Sequence, residues 1–134
     1  MTDGVAFVRR AFEEFDLREG SLEDYFARYY APDGEIEFVD GFPIRGVYTG
    51  VDGYRRWFED SYGPYEDVRR RLDSIRAVGG VVVALLTISG REKGDDVELE
   101  VQLGNIYELE DGRIKRLSVY VGHQRALDAA RLRT

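Results

Sequence analysis

Val97-Glu98-Leu99-Glu100-Val101-Gln102-Leu103 alternates apolar and polar residues, and the alternation continues through Asn105 and Tyr107 to Leu109. Asp111-Gly112 follows, and Arg113 to Val121 is a second β-prone run. A period of two is the signature of a strand with unlike faces. Asp-Gly between two such runs is a strong hairpin signal. Upstream, Val81 to Arg91 is rich in β-branched residues, with Lys93-Gly94-Asp95-Asp96 as the turn between. Asp67 to Val78 is a further strand candidate, closed by Gly79-Gly80. Four consecutive strands joined by tight turns predict an antiparallel sheet.

The first half reads differently. Val5, Phe7, Val8, Ala11, Phe12 and Phe15 approximate the stripe of an amphipathic helix over Val5 to Leu17, which Gly20 breaks. Ser21 offers an N-cap for a second helix, with Asp24 three residues on as an imperfect capping box. That helix carries Leu22, Tyr25, Phe26, Tyr29 and Tyr30, and Pro32 and Gly34 end it. Glu35 to Val39 is a short strand, Asp40 to Gly50 a turn-rich loop, and Val51 to Tyr62 a third helix opening near Thr49. Gly63-Pro64 stops it, and Gln124 to Arg131 is a short closing helix or tail. No linker, repeat or low-complexity segment interrupts the order. Residues 1–134 are therefore expected to form a single α+β domain, with helices on one face of the sheet.

Composition removes several classes of function. The chain has 134 residues and no cysteine, which excludes disulfides, thiolate metal sites and cysteine nucleophiles. A reducing, cytoplasmic setting is the expectation. No run approaches the roughly 18 apolar residues that span a bilayer, and Met1 to Gly4 does not read as the start of a signal peptide. A net charge of −7 disfavours nucleic acid. The one basic run, Arg69-Arg70-Arg71, lies in a strand whose alternating faces prevent a single patch. With one histidine, no zinc site is expected. No phosphate-cradling loop, nucleophile elbow or dinucleotide fingerprint is present, and no cofactor is expected.

Several of these motifs together carry a resemblance. They are the helix-loop-helix start, Tyr30-Ala31-Pro32-Asp33 before a strand, and Tyr48-Thr49-Gly50 opening an aromatic helix. The strand Val82 to Gly90, the turn Gly94-Asp95-Asp96 and the stretch Tyr107 to Ile114 complete the set. The chain resembles the SnoaL-like branch of the nuclear-transport-factor-2-like superfamily, over roughly Val5 to Leu132. The resemblance implies a cone: a curved antiparallel sheet, three N-terminal helices on its concave face, and a mostly apolar pocket between them. It also implies a homodimer through the outer sheet face. Relatives include ketosteroid isomerases, polyketide cyclases, epoxide hydrolases, dehydratases and non-catalytic binding modules, so the fold alone does not name a reaction.

Parity selects the pocket face. Glu98, Glu100 and Gln102 belong on the solvent or partner side; Leu103, Asn105 and Tyr107 belong inside, opposite Leu117, Val119 and Val121. Asn105 is a lone amide in an apolar row, so it either orients a ligand carbonyl or hydroxyl or bonds a neighbouring side chain or water. Tyr25, Tyr29, Tyr30, Tyr54 and Trp57 lie on the helices that plug the cone, either as ordinary core or as walls for a flat ligand. The expected ligand contacts are Asn105, Tyr107, Trp57, Tyr25, Leu103 and Val119.

The resemblance implies catalytic groups that this chain lacks. The isomerases' oxyanion-stabilising aspartic acid matches Asn105, and their general-base aspartate aligns with Phe38. Their oxyanion tyrosine on the first helix has no counterpart among Phe7, Phe12 and Phe15, and the cyclases' acid–base aspartate falls at Val119. Asp40, two residues past Phe38, is either a shifted base or a solvated turn residue. His123, the lone histidine, suits acid–base work near neutrality if it meets a carboxylate such as Asp40 at the pocket rim, and is otherwise a surface or capping residue. Three readings follow: a binder of a small apolar ligand; an isomerase, dehydratase or hydrolase using Asp40, Asn105 and His123; or an interaction module working through the outer sheet face.

Overall fold

The structure is a computed structural model, and it describes residues 4–15, 22–39 and 46–132. Ten elements follow one another: α1 (Gly4–Glu14), α2 (Leu22–Tyr29), β1 (Tyr30–Phe38), β2 (Gly46–Thr49), α3 (Gly50–Tyr62), β3 (Tyr65–Val78), β4 (Val81–Glu92), β5 (Glu98–Glu110), β6 (Arg113–Val121) and α4 (His123–Leu132). The expected break at Gly20 and the Ser21 cap lie outside the described residues.

The strands form one six-stranded sheet in the order β2-β1-β6-β5-β4-β3. Its end strands do not pair with each other, so the sheet stays open. β3 to β6 form the expected antiparallel meander. Asp111 and Gly112 turn the last hairpin with φ of 53° and 77°, the left-handed pair that a two-residue hairpin loop requires. The ladder shifts register between Leu72 and Ser74 and again between Glu108 and Leu109, and such bulges bend a sheet.

Three features differ from the sequence reading. β1 runs parallel to β6, with Ile36 beside Leu117 and Phe38 beside Val119, so the sheet is mixed. The helix before it ends at Tyr29, and Tyr30 to Asp33 already belong to β1. Pro32 and Gly34 thus sit inside an extended segment, next to the register shift between Tyr30 and Glu35. Gly46 to Thr49, read as loop, pairs antiparallel with β1 as a short edge strand.

Helices α1, α2 and α3 cover the concave face. Val8 and Ala11 of α1, Phe26 and Tyr29 of α2, and Tyr54 and Trp57 of α3 are buried against Ile36, Leu86, Ile114 and Leu117. A fourth helix, α4, packs on the opposite face, where Ala126 and Ala130 bury Val83, Leu85 and Ile106. Gly104 makes that approach possible: a Cβ there would stand 2.2 Å from the Ala126 Cβ.

Candidate functional site

A cavity of about 400 Å³ lies between the concave sheet face and the three helices. That is within the roughly 300–1,000 Å³ of ordinary ligand pockets. The alternation of β5 and β6 supplies one wall. Leu103, Asn105 and Tyr107 line it from β5, and Leu117, Val119 and Val121 from β6, with Asn105 directly beside Val119 and Tyr107 beside Leu117. Tyr25, Tyr30 and Trp57 line it from the helix side. Six residues singled out in the sequence, Asn105, Tyr107, Trp57, Tyr25, Leu103 and Val119, therefore meet in one place. Tyr29 and Tyr54 stand in the packed core instead.

The polar atoms of this wall are few and mostly without partners. Asn105 Nδ2 donates to the Tyr107 hydroxyl at 3.1 Å, while Asn105 Oδ1 is buried with no hydrogen bond. The Trp57 indole N–H and the Ser61 hydroxyl are buried and unpartnered too. Burial pushes the Tyr107 pKa up, and the hydrogen bond from Asn105 only partly offsets it. Tyr107 therefore keeps its proton, and its O–H is left over as a donor after it accepts from Asn105. The Tyr25 hydroxyl is already used, donating to the Ala11 carbonyl at 2.7 Å and tying α2 to α1. Only its ring is offered to the cavity.

The carboxylate geometry bears on acid–base chemistry. Phe38 and Val119, where the resemblance implies catalytic aspartates, both line the cavity and bring no titratable group. Among the described residues, the acidic residues in the lining are Asp60 and Glu100, both exposed, and the parity of β5 sends the Glu100 side chain to the outer face. Asp60 accepts a hydrogen bond from Tyr48 at 2.7 Å. Asp40 lies outside the described residues. His123 stands on the outer sheet face at the start of α4. Its Nε2 is 2.9 Å from the Leu86 carbonyl oxygen and 3.6 Å from Asp73 Oδ2. Asp73 also accepts from Thr87 at 2.5 Å and from Arg71 at 2.7 Å, and these bonds hold its carboxyl below the usual range. That group faces away from Asn105, because Thr87 and Ala84 have opposite parity on β4. No group of metal-ligating side chains exists among the described residues.

A charged lining residue entered the sequence reading only as part of a basic run. Arg70 reaches the cavity from β3, half-buried, with its guanidinium carbon 4.3 Å from the Phe12 ring centre and 4.5 Å from that of Phe15. The alternation that keeps Arg69, Arg70 and Arg71 from forming one patch also sends the middle one inward, beside Leu72 and Val68. Opposite these, Val97, Leu99 and Val101 share the inner parity of Leu103 yet are 61%, 47% and 41% exposed. The long hairpin there outruns the helices that cover the sheet.

The SnoaL-like domain family matches residues 6–117. The chain belongs to that family. Its SnoaL-like fold recurs in an NTF2-like protein from Burkholderia thailandensis E264, at 18% identity and a TM-score of 0.76, covering 97% of this chain and 98% of that one. A protein from Jannaschia sp. CCS1, described as a SnoaL-like polyketide cyclase, is 14% identical with a TM-score of 0.73, covering 96% and 91%. TerC, co-crystallised with polyporic acid, is 14% identical with a TM-score of 0.72, covering 96% and 98%. Identities this low establish a shared fold and no shared chemistry. No curated protein matches the chain. No described helix is long and apolar enough to cross a membrane.

Proposed function

We propose that this SnoaL-like domain, taken as one domain over residues 1–134, binds a small, mostly apolar organic ligand in the cone cavity. The observation that carries the reading is the set of buried, unpartnered polar atoms on residues that line a largely apolar cavity. An unsatisfied buried polar group costs on the order of 1–3 kcal/mol. Asn105 Oδ1 and the Trp57 N–H are an acceptor and a donor without protein partners, and the Tyr107 hydroxyl adds a second donor. A ligand presenting one hydroxyl and one carbonyl would satisfy them while its rings pack on Tyr25, Leu103 and Val119. Co-crystallisation of TerC with polyporic acid is in keeping with small-molecule binding by this fold.

Binding is favoured over acid–base catalysis because the positions that carry carboxylates in the catalytic relatives are Phe38 and Val119. A role in isomerisation, dehydration or hydrolysis would rest on Asp40, and Asp40→Ala with unchanged turnover would end it. We further propose a cytoplasmic homodimer through the outer sheet face. Arg69 and Arg71 on β3 and Glu98 and Glu100 on β5 flank β4 on that face. Opposite charges on either side of one strand make a patch complementary to itself under a two-fold rotation.

The binding test is native mass spectrometry of the protein purified without denaturation. The expected result is an adduct of one small organic molecule, lost in Asn105→Leu. A cavity that stays empty in every preparation and takes up no aromatic probe would overturn the proposal.

A further inference from the structure

Among the described residues, Arg70 is a cation without an ion pair on the lining of a largely apolar cavity. Its Nε is buried and makes no hydrogen bond. It appears in none of the ion pairs among the described residues. Its neighbours in the strand behave otherwise: Arg71 is paired with Asp73 at 2.7 Å. Burying even part of a guanidinium without a counter-charge is unfavourable. The rings of Phe12 and Phe15 recover part of that loss through their π faces, and they hold the planar group in one orientation. They leave Nε–H, the buried donor, without an acceptor among the described residues.

The position of Arg70 indicates what that acceptor is. Together with Phe12, Phe15, Tyr62 and Val68, Arg70 lines both the cavity and a wider surface groove of about 720 Å³. It therefore marks the mouth, while Asn105 and Tyr107 lie deeper, on β5 beneath the helices. Asp60, the acidic side chain that shares the cavity lining, makes no ion pair with it and instead accepts from Tyr48. A neutral carbonyl would satisfy one donor and leave the charge uncompensated; a carboxylate satisfies both.

Building on the ligand-binding reading above, we propose that the ligand is an amphipathic acid: an apolar ring body in the cavity and one carboxylate-type oxygen anion at the mouth, bound by the guanidinium of Arg70. Phe12 and Phe15 orient the guanidinium, and Arg70 sets the direction in which the ligand enters.

The test uses two probes that differ only in charge, 2-naphthoate and its neutral amide 2-naphthamide, titrated into the intact ¹⁵N-labelled chain. Two side-chain signals report on them. The indole N–H of Trp57, the sole tryptophan, reads occupancy of the cavity. The Arg70 Nε–H, assigned by its loss in Arg70→Gln, reads contact with the anion. Both probes are expected to shift the Trp57 signal. Only the acid is expected to shift the Arg70 signal, and it binds at least about tenfold more tightly than the amide, the low end for a charge-assisted hydrogen bond. In Arg70→Gln that preference disappears, and in Arg70→Lys part of it remains. If acid and amide shift Trp57 at equal concentrations in the unaltered chain, the anion role of Arg70 is overturned and the cavity reading stands. If neither probe moves Trp57, the cavity reading fails and the anion role fails with it. Should Arg70→Gln not fold, the acid-to-amide ratio of the unaltered chain decides the matter.

Discussion

Asn105 separates two demands that one buried amide can meet. Its Nδ2 serves the protein by bonding Tyr107, and its Oδ1 serves nothing within the protein. Asn105→Leu, of similar volume, removes the orphaned acceptor along with the bond. It also leaves the buried Tyr107 hydroxyl without its bond, so two opposed effects of about 1–3 kcal/mol each largely offset; the unfolding free energy in urea is expected to stay within about 1 kcal/mol of the parent, while the co-purified ligand is lost. Tyr107→Phe is the counter-case, because it strands the Asn105 amide without an acceptor and is expected to cost about 1–3 kcal/mol. A large loss in Asn105→Leu together with retained ligand would make Asn105 a structural amide instead. Parity along β5 and β6 made this wall legible in the sequence, since alternation of faces needs no tertiary information. The surroundings of His123 were not legible. Its partners, the Leu86 carbonyl and Asp73, come from strands 37 and 50 positions earlier (123 − 86 and 123 − 73), and the parity of a strand end does not say which face the next helix takes.

At the scale of elements, α4 depends on one missing side chain. The 2.2 Å that would separate a Gly104 Cβ from the Ala126 Cβ leaves no room for a methyl group. Gly104→Ala is expected to cost about 1–3 kcal/mol, as overpacking usually does. Ala126→Gly alone is expected to cost about 1 kcal/mol through helix propensity. The double variant should be more stable than the sum of the two by at least about 0.5 kcal/mol, which a urea-denaturation cycle measures. Simple additivity would mean that α4 is not seated on Gly104. The helices and the four-strand meander follow from periodicity and turn chemistry, as with Asp111-Gly112. β2 does not, because Gly46 to Thr49 has too few residues to show a period. Nor does the start of β1, where the aromatic spacing of Tyr25, Tyr29 and Tyr30 continues a helical pattern past the point where the sheet captures the chain. Arg70 shows the same limit, since its inward face was readable from the strand whereas its stacking on Phe12 and Phe15 is set by how α1 meets β3.

At the scale of the whole molecule, the proposed dimer makes a direct prediction. Size-exclusion chromatography with light scattering should give twice 15.4 kDa at micromolar concentration. Reversing charge on one row only, with Arg69→Glu and Arg71→Glu together, should shift the mass toward the monomer, since both rows would then be acidic. A monomer in the parent chain would refute the pairing. The parallel contact between β1 and β6 has a separate consequence, for the order in which the molecule can be made. β1 emerges early in synthesis, but Ile36 and Phe38 wait for Leu117 and Val119, about eighty residues later. On a ribosome, β1 must therefore stay half-paired, with β2 on one side alone, until the last strand has been made. A stop codon anywhere before β6 would leave a nascent chain without the partner strand that β1 requires, and so a substrate for chaperones and proteases.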